Sequence, residues 1–263
     1  MRARHSRTLA LLVGATLLLA PTAQAGRGAQ TGSEPLAPKS ILFIGNSFTY
    51  YNNSLHMHLR NLVTSGFPKL DKEIHFKAMT ISGAYLANHA LGAQGMIERY
   101  EHPDKDGPWD AVILQGYSRG PIQEETAGSF RASATKLDAS IRRAGSQTVL
   151  FMTWAYKGQP EMTAPLDRAY TKIGSALDAL VVPVGLAFEL ARQQRPGMEL
   201  YTEDLKHPSL LGTYLAANVF YATLYGQSPI GSSYTAGLSQ EKAAFAQRVA
   251  WQASQSYQGS SQR

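Results

Sequence analysis

Cysteine is absent from this 263-residue chain. That one absence excludes disulfides, thiolate nucleophiles, cysteine-based metal sites and a lipoprotein anchor. Charge is sparse too: Asp, Glu, Lys and Arg make up 17% of residues, with no dense Lys/Arg run. Nucleic acid is therefore not an expected partner. The apolar stretch at 9–20 is shorter than the ~20 residues a bilayer span requires, so no stable membrane anchor is expected.

That stretch has another use. Arg2, Arg4 and Arg7 precede it, and Ala23-Gln24-Ala25 follows it with the small residues of a cleavage site. The pattern reads as a signal peptide over 1–25, with Gly26 as the mature start and a secreted or periplasmic destination. Removing 25 of 263 residues leaves 238, enough for one well-buried domain. The formal charge of +6 loses three arginines with the leader and falls to about +3. Residues 26–38, rich in Gly, Ala and Pro, read as a flexible lead-in, 39–258 as a single domain, and 259–263 as a disordered tail. An exported domain without disulfides must draw its stability from its core.

Apolar, β-rich runs at 40–45, 74–80, 111–115, 148–153 and 180–184 alternate with helical patterns. Those patterns cover 54–65, 85–100, 124–144 and 165–179, then 186–194, 209–225 and 240–256. The alternation predicts an α/β fold, a parallel sheet between two helical layers. Five strands suit a flavodoxin-like order of 2-1-3-4-5. Nothing in the pattern fixes an oligomeric state.

The first run, Ile41-Leu42-Phe43-Ile44, breaks at Gly45-Asn46-Ser47. A strand buried on both faces followed by a tight turn delivers Ser47 to the carboxyl edge of the sheet, where ligands bind in open α/β folds. Asn-Ser after a strand is also an ordinary turn or helix N-cap. A serine nucleophile needs a base, and the base needs an orienting carboxylate. His56 and His58 lie two apart on a predicted helix and point to different faces, which argues against a shared metal. His75, His89 and His102 have no suggestive partner in the sequence. His207 has one: Asp204 stands three residues before it, ahead of Pro208-Ser209 and a long apolar helix. One turn of chain could bring that carboxylate to one imidazole nitrogen and leave the other facing a serine. Pro208-Ser209 also serves as a plain helix start.

Gly45-Asn46-Ser47 and Asp204-x-x-His207, on a five-stranded α/β pattern, resemble the SGNH/GDSL hydrolase superfamily across residues 40 to about 229. Its first block is usually Gly-Asp-Ser, and here Asn46 replaces the acid. The resemblance implies Ser47 as nucleophile, His207 as base and Asp204 as orienting acid. It implies an oxyanion hole from the N–H groups of Ser47 and Gly83. The third block normally carries Gly-x-Asn. This chain has Gln115-Gly116 at the end of the third strand instead, similar to the sialate O-acetylesterase and related carbohydrate-esterase branch. Gln115 would then donate the remaining oxyanion bond. Tyr51 and Asn52 just after the nucleophile, Tyr117 beyond Gln115, and Trp154 at the close of the fourth strand are candidate substrate contacts. The resemblance implies a serine esterase acting on a small-molecule or glycan ester, plausibly a carbohydrate O-acetyl group, with no metal or organic cofactor. An O-acyltransferase with the same triad, or a carbohydrate-binding protein on a degenerate fold, would share these residues.

Overall fold

Four consecutive apolar residues, Ile41 to Ile44, are fully buried in an interior strand of the sheet because helices cover both of its faces. The computed structural model describes residues 34–90, 92–98 and 107–261. The leader at 1–25 lies outside the described residues. Strands β1 (Ser40–Gly45), β2 (His75–Thr80), β3 (Ala111–Gln115), β4 (Gln147–Phe151) and β5 (Leu180–Val182) are parallel, in the order β2-β1-β3-β4-β5. This is the expected flavodoxin-like sheet.

One helical layer holds α2 (Leu55–Gly66), α7 (Val184–Gln194), α8 (Leu210–Tyr225) and α9 (Gln240–Ser261). The other holds α3 (Leu86–His89), α4 (Ala93–Glu98), α5 (Glu124–Arg143) and α6 (Thr163–Leu177). Helix α8 is apolar nearly all round, since it sits beneath α2, α7 and α9 and is buried from Leu211 to Tyr225. Ser209 caps it by accepting from the Gly212 N–H at 3.2 Å, so Pro208-Ser209 is a helix start as well as the sequel to His207.

Three expectations are corrected. The helix expected over 85–100 is broken into α3 and α4, with Gly92 and Gly95 in and after the break. The lead-in is not free where it is described: the Ala37 N–H donates to the Leu224 carbonyl at 2.8 Å, and the Tyr225 hydroxyl donates to the Pro38 carbonyl at 2.6 Å. Helix α9 continues through residue 261, into the segment expected as a tail.

Register places the site. Gly45 of β1 pairs with Thr80 of β2, Ile44 with Leu114 of β3, and Gln115 with Phe151 of β4. The strands therefore end on one line, and the segments carrying Ser47, Gly83, Gln115 and Trp154 leave the sheet at the same edge. The strand order reverses between β1 and β3, the topological switch point where α/β sheets hold their ligands.

Candidate active site

Ser47 is the first residue of a four-residue helix, α1 (Ser47–Tyr50), and Asn46 is its N-cap. The Asn46 side chain accepts from the Phe48 N–H at 3.1 Å. At this position the Ser47 N–H has no carbonyl four residues back to bond within the helix. Asn-Ser is thus a helix cap, and the same turn sets Ser47 at the sheet edge.

His207 reaches this turn from the other end of the chain. Its Nε2 lies 2.8 Å from Ser47 Oγ, and its Nδ1 is hydrogen-bonded to Asp204 Oδ2. The carboxylate only accepts, so Nδ1 carries the proton and Nε2 is free to take one from the hydroxyl. Desolvation pushes the Asp204 carboxyl up, but hydrogen bonds from the His207 ring, the Lys206 and His207 N–H groups and the Thr202 hydroxyl outweigh it. The net effect holds the group well below the usual carboxylate range, so it is ionised at neutral pH.

A cavity of about 160 Å³ opens over these groups. It is lined by Asn46, Ser47, Phe48 and His207, by Ser82 and Gly83, and by Tyr117, Ser118, Tyr156 and Lys206. Gly83 has φ +65, a left-handed conformation natural to glycine, and a Cβ there would meet nothing within 4 Å. Tyr156 and Ser118 share a hydrogen bond of 2.5 Å, and Lys206 Nζ lies 5.4 Å from the Tyr156 ring centre. Burial, the largest influence, pushes the Tyr156 phenol above its ordinary value.

Neither a family model nor a curated protein matches the chain. Solved structures do. A candidate SGNH hydrolase from Slackia heliotrinireducens is 28% identical at a TM-score of 0.55, over 70% of this chain and 97% of its own. A DUF4886 family protein from Bacteroides uniformis is 21% identical at a TM-score of 0.60, over 81% and 93%. An acetylxylan esterase from Geobacillus stearothermophilus, solved as a catalytic mutant, is 17% identical at 0.55, over 74% and 97%. The fold is that of the SGNH/GDSL hydrolases.

Within this SGNH/GDSL frame the expected residues separate into two groups. Ser47, His207, Gly83 and Tyr117 line the cavity, and Asp204 is hydrogen-bonded to His207 outside it. Gln115, Trp154, Tyr51 and Asn52 do not line it.

Gln115 is 1% exposed, and all its hydrogen-bonding capacity is used. Its Nε2 donates to Asn46 Oδ1 at 2.8 Å and to the Gly116 carbonyl at 2.6 Å. Its Oε1 accepts from the Asn46 N–H and the Thr49 hydroxyl, each at 2.9 Å. No amide hydrogen remains to face an oxyanion, which corrects the expectation. The side chain buttresses the Ser47 turn through Asn46 and Thr49. A Cβ on Gly45 would come within 2.5 Å of Gln115 Oε1, so only glycine lets the turn close over this amide. Asn46 completes the support by donating from Nδ2 to the Ala84 carbonyl at 2.9 Å, beside Gly83. The family's usual aspartate, ionised, could not make that bond.

Trp154 is 0% exposed and lies between the rings of Phe48 and Phe188, at 4.2 and 4.3 Å and nearly parallel to both. Its Nε1 donates to the Lys206 carbonyl at 3.0 Å. The indole is core that supports the Asp204–His207 loop. Tyr51 stacks on the His207 imidazole at 4.3 Å and 7°, while Asn52 bonds behind it to Pro208 and Thr213. Tyr156 and Lys206 line the cavity with no sequence motif to announce them, although Lys206 is adjacent to His207.

Proposed function

We propose that this protein is an exported serine hydrolase that cleaves carboxylic esters through an acyl-enzyme on Ser47. The observation that carries this reading is the 2.8 Å approach of His207 Nε2 to Ser47 Oγ, with Asp204 on the opposite ring nitrogen, at the mouth of a cavity. As Oγ attacks the ester carbonyl carbon, its proton moves to His207 Nε2, and the imidazolium is stabilised by ionised Asp204. The N–H groups of Ser47 and Gly83 are the donors available to the developing oxyanion. Collapse of the tetrahedral intermediate breaks the bond to the alcohol, which leaves with the proton from His207. Water then repeats the sequence on the acyl-enzyme and releases the acid.

The substrate reading is a small acyl group, acetyl foremost, on a polyhydroxylated alcohol such as a sugar. Two features support it. The cavity, at about 160 Å³, suits a short acyl chain, and hydroxyls of Ser82, Ser118, Tyr117 and Tyr156 with the Lys206 ammonium give it polar walls.

The test is labelling with a serine-directed fluorophosphonate, the modified residue mapped by mass spectrometry, beside hydrolysis of 4-nitrophenyl acetate and an acetylated xylo-oligosaccharide. Modification at Ser47 and turnover of both esters are expected. An unlabelled, inactive but folded protein would overturn the hydrolase reading. Export is tested separately: the mature N-terminus, sequenced from a cell-envelope or medium fraction, should begin at Gly26.

A further inference from the structure

Four consecutive carbonyls carry the loop that holds His207, and each accepts a hydrogen bond from a different place. Leu205 accepts from the Lys157 N–H at 2.9 Å, Lys206 from Trp154 Nε1 at 3.0 Å, and His207 from the Thr202 N–H at 2.9 Å. Pro208 accepts from Asn52 Nδ2 at 2.8 Å. Among these four donors, Asn52 is the one that belongs to the nucleophile's own segment. It follows Tyr51, which caps α1 and stacks on the His207 ring.

Asn52 is held in place at a cost. Asn52, Asn53 and Ser54 have φ of 51, 66 and 68, three non-glycine residues in succession at positive φ. Such backbone persists only where its surroundings over-determine it. Here His58, buried on α2, supplies the restraint: its Nε2 is 2.6 Å from the Asn52 carbonyl. A carbonyl only accepts, so Nε2 carries the proton, and Nδ1 accepts from the Tyr234 hydroxyl at 2.7 Å. The Tyr234 carbonyl accepts from the Tyr214 hydroxyl at 2.6 Å, which in turn accepts from Gln247 Nε2 at 2.9 Å. The Asn52 amide also donates to Thr213 Oγ1 at 2.8 Å. A polar chain thus runs from α9 through α8 and α2 to the residue beside the base.

We propose that Asn52 and His58 are positioning residues that lock the distance between Ser47 and His207, by tying the end of α1 to the Pro208 carbonyl. The proposal rests on the hydrolase reading above. Neither side chain needs to touch substrate. Their effect is on how often Nε2 sits within reach of the hydroxyl, where a displacement of ~1 Å can cost about 10²-fold in rate.

The experiment measures Ser47 labelling by a fluorophosphonate, kcat and KM on 4-nitrophenyl acetate, and the melting temperature of each variant. Asn52→Asp keeps the shape and tolerates positive φ but removes the N–H donor. Its kcat and labelling rate should fall together, about ten- to a hundredfold, with KM within about twofold. His58→Ala should slow labelling about tenfold, and His58→Gln, whose amide can still donate to the Asn52 carbonyl, should recover most of it. If Asn52→Asp does not fold, the His58 pair decides. Variants that melt lower but label at the wild-type rate while folded would overturn the positioning role and leave the hydrolase reading intact. A wild type that neither labels nor hydrolyses would overturn both.

Discussion

The two arms of the site are built by different means. The Ser47 arm is an extension of the sheet: Ser47 is 8% exposed, two residues past a buried strand, over a floor of Gly45, Asn46 and Gln115. The His207 arm stands outside the sheet. Asp204 has a 44% exposed side chain, Leu205 adopts a left-handed φ of 65, and side chains and N–H groups from elsewhere in the chain hold the loop. A turn made by the sheet is hard to move without unfolding, because its bonds are buried and its neighbours are close-packed. A loop held by single hydrogen bonds can shift while the fold survives. Damage to the first arm should therefore appear as lost stability, and damage to the second as lost rate.

The largest effects come from the reacting groups and do not depend on that contrast. Ser47→Ala should abolish acyl-enzyme formation, with kcat lower by about 10⁶ if the constellation acts as a unit. Asp204→Asn should lower kcat about 10⁴-fold by favouring the wrong imidazole tautomer. Both should keep the wild-type circular dichroism. The pH dependence separates the acid from the base. Asp204 has a folded-state pKa below its unfolded value, so its contribution to stability is present above about pH 4 and lost as pH falls through the folded value. Exposure of the carboxylate to solvent keeps that contribution small. An acidic limb in kcat above pH 5 must then arise from a group other than Asp204.

Gly83→Ala tests the wall that joins the arms. The new methyl group meets open space, so sterics are not the issue, but φ +65 costs an alanine roughly 1–2 kcal/mol. The loop should relax and turn its N–H away from the cavity. Turnover is expected to fall about ten- to a hundredfold, short of the ~10²–10³ for an oxyanion donor removed outright. A change in KM alone would mean that Gly83 shapes the pocket and donates nothing.

Gln115→Glu breaks the comparison most cleanly, since it replaces both amide hydrogens with an acceptor in a fully buried place. The Asn46 side chain and the Gly116 carbonyl lose their donor, which should cost about 2–3 kcal/mol in urea unfolding. Folded protein should retain kcat within about tenfold. A loss of 10² or more in kcat without loss of stability would return Gln115 to the oxyanion hole.

That residue also shows where the sequence was legible and where it was not. Strand β3 appeared at its true boundaries because Ala111 to Leu114 are apolar without interruption. The amide at its end was visible as a type, but its direction is set by Asn46 and Thr49, which arrive from 69 and 66 positions away. Asp204-x-x-His207 was readable because the spacing closes locally, within one turn of chain. Asn52 lies close to Ser47 in the sequence, yet its three-residue run of positive φ contains no glycine to signal a reversal. Helix α1 is too short for any periodicity to register. Tyr156 follows a strand with nothing to distinguish it from other loop tyrosines, and only the folded sheet edge brings it beside Ser118.

Trp154 offers the smallest expected effect and the finest discrimination between the arms. Its indole is packed between Phe48, next to Ser47, and Phe188 on α7, while its N–H holds the Lys206 carbonyl beside His207. Trp154→Phe keeps a flat aromatic ring in that stack, at smaller volume, and removes the one hydrogen bond to the loop. The stability loss should be about 1–2 kcal/mol, from the lost bond and a small gap. Because the Leu205, His207 and Pro208 carbonyls keep their donors, kcat/KM should fall by no more than about threefold, and equally for 4-nitrophenyl acetate and an acetylated sugar. Equal effects on both esters follow from an indole that never meets substrate. A selective loss on the sugar ester would instead place the ring against the glycan, and would require the cavity to open past Phe48 on binding.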